Sequence, residues 1–482
     1  MTDGRHRLAV IGAGPAGLAA SLAAAARGIH VTLIDSAAAA GGQFYRRPAS
    51  GLGARRPRAL HHQWRTWERL EQGLAGHLEA GAIEHLTDHH VWLVERAGAG
   101  ARPGFTVHSL LGPLQERSVT VRADAVLLAT GGYERVLPFP GWTLPGVVTA
   151  GGAQAMLKGG LVVPGRTAVV AGTGPLLLPV ATGLAAAGVE VAALVESADP
   201  RAFVRGAGAL TAQPGKLAEG ARYAVRLLRH RVPFVPSHTV VEAHGEERLE
   251  AVTVAGLGPD GRVRTGTGRR IPCDTLAVGH GMIPHTDLAE ALGCRIDGPR
   301  VDVDDEQRTD VPGVWAAGET TGIGGSALSL TEGHLAGRSI AARLSGTGPD
   351  PRAVARAVRS RTRTRTFFAA LDTVYAPPAH WTDQVTDDTV VCRCEEVTAG
   401  RVREAVTDLG AGDVRTVKLL TRAGMGWCQG RVCEPAVAGL VGCEQTPARR
   451  LLARPVPLGV LARAGVDGDD GTPGAGSPPA RE

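Results

Sequence analysis

Cys392 and Cys394, spaced CxC, and Cys428 and Cys433, spaced CxxxxC, are the residues of this chain best suited to chemistry. A CxC pair brings two thiolates within reach of one iron. The second pair, after 33 intervening residues, reaches another iron if the chain folds back between them. Four thiolates are the ligand set of a [2Fe–2S] cluster. Gly424, Gly426 and Gly430 flank the second pair, so backbone amides can come close and hydrogen-bond cluster sulfurs. A structural zinc also takes four thiolates, though a CxC half is less usual for it. Disulfides are disfavoured because nothing in the sequence marks export, and a cytoplasmic protein is expected. A flavin elsewhere in the chain would give a one-electron carrier its purpose.

The N-terminus supplies the elements for such a flavin. Leu8–Ile11 is an apolar strand leading into Gly12-Ala13-Gly14-Pro15-Ala16-Gly17, then an alanine-rich helix, Gly28, a second strand Val31–Ile34, and Asp35. Gly12 makes the tight turn, Gly14 lets a pyrophosphate approach the backbone, and Gly17 lets helix and strand touch. The helix N-terminus then faces the phosphates, and Asp35, 23 residues after Gly12, can accept ribose hydroxyls. Gly41-Gly42-Gln43 follows. A strand Ala125–Ala129 ends in Thr130-Gly131-Gly132, and a strand Gly313–Ala317 ends in Gly318-Glu319, ahead of a helix through Gly333 and Gly337.

A second unit begins with the strand Thr167–Ala171, runs through Gly172-Thr173-Gly174-Pro175-Leu176-Leu177 and a helix, and closes on a strand ending at Glu196. Leu177 stands where the third glycine belongs, and Pro175 removes a donor amide from the turn. The fold is therefore expected without productive NAD(P)H use, leaving a site that is empty or holds an adenine nucleotide. No cysteine precedes Cys273, so there is no reactive CxxxxC beside a nucleotide domain and disulfide reduction is excluded. The adjacent pairs His61-His62 and His89-His90 lack metal-ligand spacing and read as solvated loop residues.

The strand–Thr-Gly and late Gly-acid motifs resemble the glutathione reductase class of flavoproteins over about residues 5–345, with Glu319 where that class has aspartate. That class implies FAD, held by Gly12, Gly14, Pro15, Ala16, Gly17, Asp35, Gly42, Gln43, Thr130, Gly131, Gly318 and Glu319. The second site would comprise Gly172, Gly174 and Glu196. The stretches VCRCEEVTAGRVREAV from Val391 and KLLTRAGMGWCQGRVC from Lys418 resemble bacterioferritin-associated-ferredoxin domains. The three modules together resemble the alpha-type subunits of opine oxidases, hydrogen cyanide synthase, D-hydroxyproline and dye-linked proline dehydrogenases. The resemblance implies an electron-transferring FAD/[2Fe–2S] subunit. Its expected partners are a D-amino-acid-oxidase-like flavoprotein that oxidises the C–N bond and a small ferredoxin-like subunit. Glu332 and His334 are the residues nearest to catalytic candidates, and a packing or helix-surface role competes for both. A self-sufficient NAD(P)H reductase and a non-catalytic scaffold are the alternatives.

The expected fold is α/β: two nested Rossmann-like three-layer domains, FAD-binding at 1–150 with 296–345 and nucleotide-binding at 151–295. A connector (346–387), a small α+β [2Fe–2S] domain (388–448), a packing segment (449–464) and a disordered tail (465–482) follow. The net charge of +5 is spread along the chain, and only three of the 52 basic residues are lysines. The Arg359–Thr366 run (RSRTRTRT) reads as a solvated connector and not a nucleic-acid surface, because no aromatic platform is interleaved with it. The aromatics Phe367, Phe368, Tyr375 and Trp381 would cover either an interface or the chain's own core. No segment is long and apolar enough to span a membrane.

Overall fold

The computed structural model describes residues 6–464 except 62, 98–103, 113, 200, 202–213 and 446–449, so the expected disordered tail lies outside the described residues. Five parallel strands form the first sheet, in the order Val314–Ala316, Ala125–Leu128, Arg7–Ile11, His30–Ile34, Ile83–Leu86. Both faces are covered, which is why these strands read as unbroken apolar runs. On one face lies an antiparallel sheet of His89–Ala97, Gly104–Leu111 and Arg117–Ala123. On the other, the helix Pro15–Ala25 packs against the helix Gly325–Leu344. Their close approach depends on Gly333 and Gly337: a Cβ there would fall 2.0 Å from the Ala16 carbonyl oxygen and 2.3 Å from that of Ala20.

The second unit repeats the plan, with parallel strands in the order Phe234–Pro236, Glu190–Glu196, Thr167–Gly172, Thr275–Gly279, Val147–Thr149 and an antiparallel sheet of His238–His244, Ala251–Gly256 and Arg269–Pro272. The two units are stitched by Gly132–Glu134 pairing with Met282–Pro284. The seams differ from those expected. Val147–Thr149 pairs with Leu276–Val278 and so belongs to the second sheet, whereas Leu288, Ala289 and Cys294 are buried in the core of the first unit.

The connector is dominated by one helix, Pro351–Val374, capped by Asp350, whose side chain accepts the Arg352 N–H. The Arg/Thr run lies inside this helix and is not merely solvated. Arg361 donates to Gln307 Oε1 (2.6 Å), Asp305 Oδ1 (2.7 Å) and the Asp304 carbonyl (3.1 Å), fastening the helix to the first unit. Phe367 is buried, and the edge of Phe368 lies beside Gly325, so these aromatics cover the chain's own core. The small C-terminal domain has a two-stranded ribbon and the helices Ala399–Thr407, Val414–Thr421 and Glu434–Val441, with Thr398 and Asp413 as N-caps. It packs on the second unit, where Trp142 Nε1 donates to the Val390 carbonyl at 2.6 Å and Arg393 lies over the Trp142 ring. The following segment returns to the first unit: Ala453 N–H donates to the Trp92 carbonyl (2.9 Å), and Val460 is buried with Trp92 and Leu110.

Candidate flavin and iron–sulfur sites

The glycine turn after Arg7–Ile11 opens into a cavity of about 1400 Å³. That exceeds the roughly 300–1,000 Å³ of most small-ligand pockets and suits an extended dinucleotide. Gly12, Gly14, Pro15, Ala16, Asp35, Gly42, Gln43, Thr130, Gly131 and Glu319 line it. Gly17 and Gly318 stand behind the wall. A Cβ on Gly17 would lie 1.8 Å from the Gly12 carbonyl oxygen, and one on Gly318 2.8 Å from Ala16 Cβ, so both are glycines for packing. At Gly14 a Cβ would meet no protein atom closer than Gly42 Cα at 4.0 Å, a gap open to the cavity at the helix N-terminus. That is where a pyrophosphate gains most from free amides and the helix dipole. Asp35 accepts the N–H groups of Ala13 (2.5 Å) and Ala37 (2.7 Å) at the cavity edge. Burial pushes the Glu319 carboxyl up, with the Gly325 N–H and Arg365 acting in the other direction. The residues therefore fit FAD.

Glu332 and His334, the catalytic candidates, do not line this cavity. Glu332 is fully buried and braces the Gly318 turn: it accepts the Gly318 N–H (3.0 Å), the Thr321 hydroxyl (3.1 Å) and Arg365 Nη2 (2.6 Å). Burial raises its pKa, and Arg365 opposes the rise. His334 is exposed on the outer side of the same helix, in a separate 290 Å³ pocket with Arg27 and Arg338. His89 and His90 are not solvated loop residues. They begin a strand, line the same cavity as Gly14, and His89 Nδ1 lies 2.6 Å from the Thr87 carbonyl. His61 is partly buried, and burial ahead of Lys158 pushes its pKa down to about 4.

Two cavity residues had no signal in the sequence. His285 arrives from the crossover between the units. Its carbonyl accepts the hydroxyls of Thr130 (2.7 Å) and Thr320 (2.8 Å), tying together the turns after the neighbouring strands Ala125–Leu128 and Val314–Ala316. Arg454 arrives from the C-terminal segment beside His89 and His90, with Nη2 donating to Gln115 Oε1 at 3.1 Å and Nε buried without a partner.

In the second unit Glu196 is buried and accepts the N–H groups of Gly174 (3.1 Å) and Ala198 (3.0 Å). Tyr375, just past the connector helix, lies beside this loop: the nearest atom to a Cβ on Gly174 would be Tyr375 Cβ at 3.9 Å.

The four C-terminal thiols gather around the Gly424–Gly430 loop. Cys394 Sγ lies 4.0 Å from Cys428 Sγ, and Cys392 hydrogen-bonds with Cys433, so the close approaches run between the sequence pairs and not within them. A Cβ on Gly426 would fall 2.1 Å from Cys394 Cβ. The Cys392 thiol is pushed down to about 5 by the Cys433 hydrogen bond, against burial, with help from the N–H groups of Gly424, Glu395 and Cys394. Among the described residues no three His, Cys, Asp or Glu side chains converge as a single metal ion requires. Two thiolates for each of two irons is the ligand set of a [2Fe–2S] cluster, and the paired approaches of the four cysteines fit it.

Residues 6–338 match the pyridine nucleotide-disulphide oxidoreductase family. The chain belongs to that family. Residues 390–442 match the BFD-like [2Fe-2S] binding domain and contain all four cysteines. The chain is thus an oxidoreductase with an FAD domain and a [2Fe–2S] domain. It is 34% identical over 441 residues to the hydrogen cyanide synthase subunit HcnB of Pseudomonas aeruginosa, covering 89% of this chain and 90% of that one. It is 33% identical over 464 residues to an opine oxidase subunit of Agrobacterium tumefaciens, covering 91% of this chain and 86% of that one. L-proline dehydrogenase from P. horikoshii shares the fold, with a TM-score of 0.64 at 20% identity over 96% of this chain and 81% of that one. No helix among the described residues is long and apolar enough to cross a membrane.

Proposed function

We propose that this family member is the electron-transferring FAD/[2Fe–2S] subunit of a cytoplasmic heteromeric amine or imino-acid oxidoreductase. A D-amino-acid-oxidase-like partner would oxidise the C–N bond, and this chain would receive the electrons. FAD would be held by Gly12, Gly14, Asp35, Gly42, Thr130 and Glu319, and the cluster by Cys392, Cys394, Cys428 and Cys433. When bound, these groups supply the exchange between paired and single electrons. The chain's own part is to hold them, exclude water and fix their separation.

One observation favours the reading over a self-sufficient NAD(P)H reductase: a buried Leu177 stands where the third glycine of a dinucleotide turn belongs, with Tyr375 beside the same loop. That substitution works against close packing of helix and strand at the turn a nicotinamide reductant would use. The named relatives, from a hydrogen cyanide synthase and an opine oxidase, point to an amine donor oxidised by an assembly.

Expressed alone, the chain should carry FAD and cluster, show no dye-linked amino-acid dehydrogenase activity, and keep an oxidised flavin when mixed with NADH or NADPH in stopped flow. Co-expression with the oxidase-like subunit should restore activity. Robust amino-acid oxidation by the isolated chain, or rapid bleaching of its flavin by a nicotinamide, would overturn the proposal.

A further inference from the structure

Between the cysteine loop and the FAD cavity lies a buried ionic junction centred on Asp287, which is 10% exposed. Its carboxylate meets His285 Nε2 (2.8 Å), Arg431 Nε (2.8 Å) and Arg450 Nη1 (2.9 Å), and Arg450 also faces Glu434 at 3.6 Å. Burial pushes the Asp287 carboxyl up, yet His285 and Arg431 outweigh it and hold it well below the usual carboxylate range. The three partners come from different places. His285 lines the FAD cavity, Arg431 sits inside the CxxxxC loop and also donates to the Cys428 carbonyl (3.1 Å), and Arg450 belongs to the C-terminal segment. Arg431 has a second grip: its Nη2 donates to the carbonyl of Ala453, the residue before Arg454 on the cavity wall.

We propose that Asp287 is a positioning residue that locks the iron–sulfur loop to the FAD cavity, so that cluster loading and FAD binding reinforce each other. This rests on the reading that both cofactors are resident. A loop with glycines at 424, 426 and 430 is loose until four thiolates are tied to metal, because ligation and local folding are one event. Once ordered, it presents Arg431 to Asp287 and to the Ala453 carbonyl, which fixes His285 and Arg454 where FAD must fit. Linkage makes the effect reciprocal: whatever factor the cluster adds to FAD affinity, FAD adds to cluster affinity.

The test titrates FAD onto full-length chain with the cluster loaded and with it removed by chelator, reading flavin fluorescence, in wild type and Asp287→Asn. In wild type, cluster removal should weaken FAD binding at least about fivefold, within the usual range of coupling between sites. In D287N that ratio should fall toward one, and FAD should no longer slow iron release to the chelator. Arg431→Gln, which cuts the same link from the loop side, should repeat the result and serves if D287N does not fold. No ratio in wild type, or an undiminished ratio in both variants, overturns the proposal. Neither titration uses substrate or partner, so they succeed or fail independently of the reaction assigned above.

Discussion

Gly14 is the residue at which the FAD reading is easiest to test. Its φ of −74° is one any residue adopts, and its missing side chain would project into the cavity and not into protein. Gly14→Val should therefore leave the fold intact and abolish FAD binding, measured as flavin content and as an unchanged far-ultraviolet spectrum. The equivalent change at Gly174 is different, because φ is +107° there. Gly174→Val should cost stability through backbone strain yet keep FAD bound. A flavin-replete Gly14→Val protein would remove the pyrophosphate from this turn. At this scale much was legible in the sequence, since a glycine turn after a strand and a cysteine quartet are local patterns whose physical reasons lie within a few residues. Arg454 was not legible, because its place depends on Ala453 pairing with Trp92, far away in the chain. Asp287 was equally silent: nothing near it in sequence announces that arginines from the CxxxxC loop and from the C-terminal segment will meet its carboxylate.

Among the elements, the connector helix shows how pattern can mislead. A run of alternating arginine and threonine has modest helix propensity and no apolar face, so it reads as solvated chain. It is helical because Arg361 and Arg365 reach buried or partly buried acceptors on the first unit while Thr364 and Thr366 bond back to carbonyls four residues earlier. Arg365 gives the quantitative test. Removing one partner of a buried ion pair strands the other charge, at about 3–5 kcal/mol for fully buried pairs. Glu332 is fully buried but Arg365 retains some solvent contact, so Arg365→Ala should cost less, about 2–3 kcal/mol, in chemical denaturation. Adding Glu332→Gln should recover part of the loss by removing the stranded charge. Additive losses in the double variant would show that the pair is not coupled.

For the whole molecule, stability is set by two nested cores joined at Gly132–Glu134 and Met282–Pro284, and a weakness of the second unit is felt throughout. The nested plan follows from the order of strands and turns and was visible in the sequence; the seams were not, because strand pairing decides them. His280, at the end of the strand Thr275–Gly279, exposes a pH dependence. It is 8% exposed with Nδ1 unpartnered, and burial, ahead of Arg135, pushes its pKa down to about 4. In the unfolded chain the same imidazole titrates near 6.5. Between those values the unfolded state binds a proton that the native state refuses, so stability is complete above about pH 6.5 and drains away as pH falls toward 4. The loss from this one buried group is on the order of 2–3 kcal/mol, enough to matter against typical domain stabilities. His61, also pushed down to about 4, adds to it in the same direction. Thermal unfolding followed from pH 7 to pH 4 should show a falling midpoint, and His280→Gln, which cannot take up the proton, should flatten the slope. An identical slope in wild type and variant would mean that His280 escapes its burial before the chain unfolds.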